Sequence, residues 1–230
     1  VGLDWMLFKK GLGASNHFEA GGFIRSEPGI EHPNLQYHFL PMAVRYDGGN
    51  PTDRHGYQAH VGPMRSTSRG YMSLKSGNID DAPMLQPNYC ETEQDRRELR
   101  DGVKLTREIF AQSGFDPYRG VELAPGPEVK TDAEIDAFVR ETVETAYHPS
   151  CTCKMGTDAL AVVDDAGRVH GVENLRVVDS SIMPNIVSGN LNAPTIMMAE
   201  KIADLIKGVA PLPKSSAPVY RAENWQTSQR

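Results

Sequence analysis

The run Ala146-Tyr147-His148-Pro149-Ser150-Cys151-Thr152-Cys153-Lys154-Met155-Gly156 gathers a histidine, a proline, two thiols and a glycine between helix-like sequence before it and strand-like sequence after it. An imidazole titrates near neutrality, so His148 can take a proton and return it during turnover. A histidine beside a proline is more often structural. Here the loop is too polar for a core, and Tyr147 can wall one side of it, which favours chemistry. Cys151 and Cys153 raise a metal reading, but zinc sites use wider thiol gaps and a second ligand pair that the chain lacks. Redox disulfide chemistry favours CxxC over CxC. The two thiols are therefore expected to be small buried groups, and no metal site is expected.

A second dense run extends from Asp179-Ser180-Ser181-Ile182-Met183-Pro184 to Ser188-Gly189-Asn190-Leu191-Asn192-Ala193-Pro194. Asn192 is placed to cap the helix that follows, with Pro194 in its first turn, which leaves Asn190 without a capping role. Free N–H groups and the dipole at such a helix start suit an anionic or electron-rich ligand such as a cofactor's edge.

The elements that must position these runs are read from periodicity. Leu35–Leu40, Tyr57–Val61 and Tyr71–Lys75 read as short strands with no helix between them, which implies an antiparallel sheet. Two amphipathic helices follow. Thr92 with Asp95 resembles a capping box ahead of Leu99, Val103, Thr106, Ile109 and Phe110; Thr131 with Glu134 forms a cleaner one ahead of Ile135, Phe138, Val139, Thr142 and Val143. Val162–His170 reads as a hairpin around Asp165-Ala166-Gly167, Leu175–Asp179 as a short buried strand, and Asn192 to Gly208 as a helix. Residues 211–230, rich in Pro and Ser, read as a tail. Gly11-Leu12-Gly13 lacks the preceding strand and third glycine of a dinucleotide loop, so it reads as a turn.

The 230 residues carry a net charge of -6, 24 Lys and Arg, and three cysteines. No basic patch suited to nucleic acid is found. No apolar run approaches the ~20 residues of a membrane span, and no signal core is present. A reduced, cytoplasmic setting is expected. The chain opens at Val1 within a helix-like apolar run, Leu3 to Phe8, and is expected to be a piece of a longer protein.

In order, Gly13–Phe23, Pro33–Pro41, Tyr147-His148-Pro149 with Gly156, Gly167–Gly171, Leu175–Pro184 and Gly189–Lys201 resemble the C-terminal half of the glucose-methanol-choline (GMC) flavoprotein oxidoreductases, in particular the choline-oxidising members. The resemblance implies an α+β fold, an antiparallel sheet of about six strands flanked by helices. It implies a substrate-binding domain over residues 1–145, a catalytic-histidine loop and flavin-contacting segment over 146–208, and a tail over 209–230. It also implies FAD as cofactor, with His148 as the active-site base, Asn190 as its partner and His38 as a further pocket histidine. Asp179, Ser180, Asn190, Asn192 and Pro194 are the implied flavin contacts, and Phe18, Tyr37 and Phe39 candidate walls for a trimethylammonium head. The implied reaction oxidises choline to betaine aldehyde, with hydride passing to flavin N5. The alternatives are a GMC dehydrogenase for another primary alcohol and a non-catalytic fragment without its FAD domain. The implied partners are choline and the enzyme's own N-terminal FAD-binding domain, with an electron acceptor at the inner membrane, peripheral attachment there and a homodimer left open. The flavin-binding N-terminal sequence and the pocket glutamate of choline oxidisers lie outside this chain.

Overall fold

A computed structural model describes residues 2–45 and 55–229. The chain divides into two compact units, one of Val1–Pro63, Arg96–Val139 and Arg221–Arg230, the other of Met64–Asp95 and Arg140–Tyr220.

In the first unit, α1 (Gly2–Phe8) precedes the strands β1 (Ala20–Ile24), β2 (Leu35–Leu40) and β3 (Gln58–Pro63). They form an antiparallel sheet in the order β1-β2-β3, with Ile24 opposite Leu35 and Tyr37 opposite Val61. Leu35 and Tyr37 point to one face, where they bury against Leu105 and Ile109 of α2 (Glu93–Phe110). Gly102 permits that approach: a Cβ there would meet Val61 Cγ2 at 3.0 Å. Tyr37 Oη donates to the Gly102 carbonyl at 2.9 Å, so its hydroxyl is satisfied inside the core. Tyr37 is therefore a core residue rather than the pocket wall expected for it. Phe39 is likewise taken up by packing, with Tyr57, Phe110 and Phe115 at centroid separations of 5.9, 6.2 and 5.9 Å.

β1 was not legible because Gly21 and Gly22 have low strand propensity; its pairing to β2 supplies what its own sequence does not. Among the described residues the sheet has three strands, and β4 (Tyr71–Ser73) pairs with β5 (Met84–Gln86) as a separate ribbon. The antiparallel α+β class is as expected, but the sheet is smaller than six strands. β1 and β3 are its edges, and no further described segment pairs with them.

In α3 (Asp132–Thr142), Glu134 N–H donates to Thr131 Oγ1 at 3.3 Å and Thr131 N–H to Glu134 Oε2 at 2.8 Å, closing the capping box seen in the sequence. Ile135 and Val139 of α3 are buried. Arg100 forks onto Asp136 with both contacts at 2.7 Å. Of the segment read as a tail, Pro211 to Tyr220 is exposed, while the following residues return to the β1–β2 turn. There Gly29 N–H donates to Trp225 O at 2.8 Å, and Arg25 and Gln229 donate to Ser228 O and Ser26 O.

The second unit is built on Val163, Ile182 and Ile202, with exposures of 0, 0 and 3%. Ile202 lies on α4 (Asn192–Lys207), which ends at left-handed Gly208. The hairpin forms as a single bridge, Val163 to Val169, with Asp164 N–H donating to Arg168 O at 2.9 Å. Asp164 is subject to a burial effect that would raise its pKa, but the Arg168 side chain and the Arg168 and Ala166 amides outweigh it and hold the carboxyl at about 2. The stretch from Leu175 to Asp179 is extended without a full strand ladder, and Leu175 is half exposed rather than buried.

Gly167, at φ 74°, combines a left-handed backbone with a tight contact: a Cβ would lie 2.7 Å from the Val177 carbonyl. Gly167→Ala is expected to cost about 1–3 kcal/mol, read as a lower urea midpoint with an unchanged m-value.

Candidate active site

The loop carrying His148 is shaped by its own backbone and tied down by a distant segment. Tyr147 at φ 60° and Cys151 at φ 72° are both left-handed, which turns the chain sharply on either side of His148-Pro149. Beyond the turn, Cys151, Cys153 and Met155 donate their N–H groups to the carbonyls of Ser180, Ser181 and Ile182 at 3.3, 2.9 and 2.8 Å. Ser180 Oγ adds a bond to the Pro149 carbonyl at 3.0 Å. The Ser180–Ile182 turn is itself capped by Asp179, whose Oδ1 accepts from Ser181 N–H at 2.8 Å.

This ladder places partly buried His148 beside exposed Asn190. Asn190 Nδ2 lies 3.4 Å from His148 Nε2. With the amide donating, Nε2 is the acceptor and the ring proton resides on Nδ1. When a bound hydroxyl displaces the amide from Nε2, that nitrogen can take the hydroxyl proton, and the amide can turn to donate to the oxygen left behind.

Asn192 does not cap α4. It is the first helical residue, and Leu191 occupies the cap position with no side-chain cap bond. Leu191 is 7% exposed, and burying it places the cap position one residue before the asparagine. The N-terminus of α4 is thus left without a side-chain cap, between exposed Asn190 and Asn192, with Pro194 in the same turn. Cys151 and Cys153 are partly exposed rather than buried, and Cys151 Sγ donates to Ser150 Oγ at 3.2 Å. Among the described residues no group of three or more His, Cys, Asp or Glu is arranged to hold a metal ion. His38 belongs to the first unit, on the sheet face opposite Tyr37, where Phe18 meets its ring edge-on at 5.9 Å.

The residue match covers the same region. The GMC oxidoreductase family model matches residues 66–199, more than half the chain. The chain belongs to the GMC oxidoreductase family. It is 60% identical over 222 residues to the oxygen-dependent choline dehydrogenase of Pseudomonas fluorescens strain SBW25, covering 96% of this chain and 39% of that protein. The Serratia proteamaculans relative of the same name is 59% identical over 97% of this chain and 40% of its own length. The chain thus spans about two fifths of the curated relatives it matches. Pyridoxine 4-oxidase from Mesorbium loti superposes with a TM-score of 0.77 at 30% identity, over 85% of this chain and 39% of that one. Formate oxidase of Aspergillus oryzae, at TM-score 0.80 and 22% identity over 90% of this chain and 41% of that one, shares the fold. Among the described residues no helix is long and apolar enough to cross a membrane.

Sequence reading missed the polar cluster around Asp95. The carboxylate was expected to reach back to the helix start, as a box residue does. Thr92 Oγ1 does accept from Asp95 N–H at 3.4 Å, but the Asp95 side chain turns to the preceding loop. It accepts from Ser66 Oγ, from Thr67 N–H at 2.8 Å and from Ser68 N–H at 3.0 Å, while Ser68 Oγ accepts from Thr92 N–H at 3.2 Å. Aspartate is one methylene shorter than the glutamate of a closed box, and nothing local in the sequence marks the loop as its partner. Burial of Asp95, 2% exposed, works to raise its pKa, but the Ser66 and Ser68 hydroxyls and the Thr67 and Ser68 amides hold it below the ordinary carboxylate range. A depressed folded pKa contributes stability in full above the unfolded value of about 3.9 and loses it as pH falls through the lower folded value. Asp95→Asn is expected to flatten the stability–pH curve below about pH 4, and Asp95→Ala to cost about 3 kcal/mol at pH 7, both measured by denaturant unfolding across pH.

Proposed function

We propose that this chain is the C-terminal, substrate-facing part of an FAD-dependent dehydrogenase that oxidises the primary alcohol of choline to an aldehyde. The observation that carries the reading is the His148–Asn190 pair, an imidazole and a neutral amide 3.4 Å apart at an exposed position. His148 Nε2 takes the hydroxyl proton as the carbinol carbon is oxidised. Asn190 Nδ2 donates to the substrate oxygen as negative charge develops on it, a role a fixed neutral dipole fills without competing for the proton. His38 is assigned as a second donor to that oxygen on its motif position.

The group that accepts the hydride is FAD. The residues present fit one edge of it: α4 starts without a side-chain cap, so its first amides and the positive end of its dipole are available to an electron-rich ring edge. Asn190, Asn192 and Pro194 would line that edge. Asp179 and Ser180 would act mainly through the turn they build. Nothing among the described residues fits the dinucleotide end. Gly11 to Gly13 follows α1, not a strand, and has the form of a 3-10 turn. That end is assigned to a partner domain of the same enzyme. The exposed apolar residues Leu3, Met6, Leu7 and Phe8 of α1, and Ile196 and Met197 of α4, support such a cover.

The relatives' name supports choline as electron donor and oxygen as acceptor. Three free cysteines support a reducing compartment such as the cytoplasm. Pyridoxine 4-oxidase, at 30% identity, supports a second reading in which the alcohol is another one. Joined to a family N-terminal domain and loaded with FAD, the protein is expected to show flavin bleaching under anaerobic choline. Bleaching by pyridoxine or aliphatic alcohols and not by choline favours the second reading, and no bleaching by any alcohol overturns both. In the same enzyme His148→Ala is expected to lower kcat by at least ~10², measured by steady-state kinetics; unchanged turnover removes His148 from the mechanism.

A further inference from the structure

Asn190 is held on a span whose ends, Met183 and Leu191, are buried at 2% and 7% exposure, while the residues between them are exposed or only partly buried. A short exposed span carrying a neutral amide drifts unless something outside it fixes its course. The structure supplies a fixed point. Arg69 Nη2 donates to Asn185 Oδ1 at 3.0 Å, two residues after Met183 and five before Asn190.

Arg69 is not a loose surface side chain. Its Nη1 donates to the carbonyls of Ser66 and Ser68 at 2.9 and 3.0 Å, and Asn88 Nδ2 donates to its own carbonyl at 3.0 Å. Three contacts on one planar guanidinium leave it little rotational freedom. The loop it grips is in turn clamped by the buried Asp95 carboxylate through Ser66, Thr67 and Ser68. The next residue, Gly70, leaves no room for a Cβ against the Gln86 and Pro87 backbone, so the chain leaving Arg69 is fixed as well. A continuous set of contacts therefore runs from Asp95 through the Ser66–Ser68 loop and Arg69 to Asn185, and the chain continues from there to Asn190, whose amide meets His148.

We propose that Arg69, acting through Asn185, is a positioning residue that sets the place of Asn190 against His148. The inference rests on the proposed role of that pair. The effect of the tie is on geometry alone.

In the complete FAD-loaded enzyme, Asn185→Ala is expected to lower kcat about tenfold with a small change in KM, short of the 10²-fold that a 1 Å displacement can cost. Asn185 is exposed, so the variant removes the contact without opening the core. Asn185→Asp keeps an acceptor for the guanidinium and is expected to restore most of the turnover. Arg69→Ala should match Asn185→Ala. In an Asn190→Ala background, Asn185→Ala should lower kcat no further, because the group being positioned is gone. Wild-type turnover in Asn185→Ala, with Asn190→Ala impaired, overturns this inference alone. Additive losses in the double variant also overturn it, since they show a general structural effect. Wild-type turnover in Asn190→Ala overturns both the pair and its positioning.

Discussion

The meeting of His148 with Asn190 depends on the backbone ladder in which Cys151, Cys153 and Met155 donate to Ser180, Ser181 and Ile182. Such a ladder gains little over water unless water is excluded from it. Ile182 provides that exclusion. With no exposed surface of its own, it packs with Val163 and Ile202 and draws the Ser180–Ile182 turn inward, so the facing loop closes over a dry floor. The left-handed residues Tyr147 and Cys151 are tolerated because this ladder over-determines the loop. His148 owes its place to apolar packing several residues away.

In the reaction proposed for the pair, the choice of a neutral partner matters. A carboxylate beside His148 would stabilise the imidazolium, so that the ring would more often already hold a proton when substrate arrives. An amide draws no proton onto the ring, and it would still offer a donor to an oxygen that is losing its proton. That economy needs accurate placement, since an amide dipole loses its effect quickly with misorientation.

Two capping boxes illustrate how far local sequence can be trusted. Thr131 and Glu134 close the box entirely between themselves, because glutamate reaches the helix start. Thr92 and Asp95 share the pattern, but the shorter carboxylate serves a loop about thirty residues earlier, at Ser66 to Ser68. The first is a contact between neighbours in the chain and can be read from it. The second is a tertiary contact dressed in a local motif.

Residue types and spacing were enough to find β2, the three longer helices and the hairpin, and to single out His148 and Asn190 as candidates, because each rests on periodicity or on the intrinsic chemistry of a side chain. They were not enough to find β1, whose glycines become a strand only when β2 pairs with them. Nor could they separate Tyr37 and Phe39, read as pocket walls, from the core they fill, since an aromatic residue on a strand carries no label for the face it meets. The start of α4 at Asn192 was decided by burial of Leu191, and the path of the C-terminal residues by hydrogen bonds to Gly29, Arg25 and Ser26. By itself the sequence determined which groups could do chemistry. Tertiary structure alone decided that His148 and Asn190, 42 positions apart, share a hydrogen-bonding distance, because their separation is set by packing between segments that no local pattern connects.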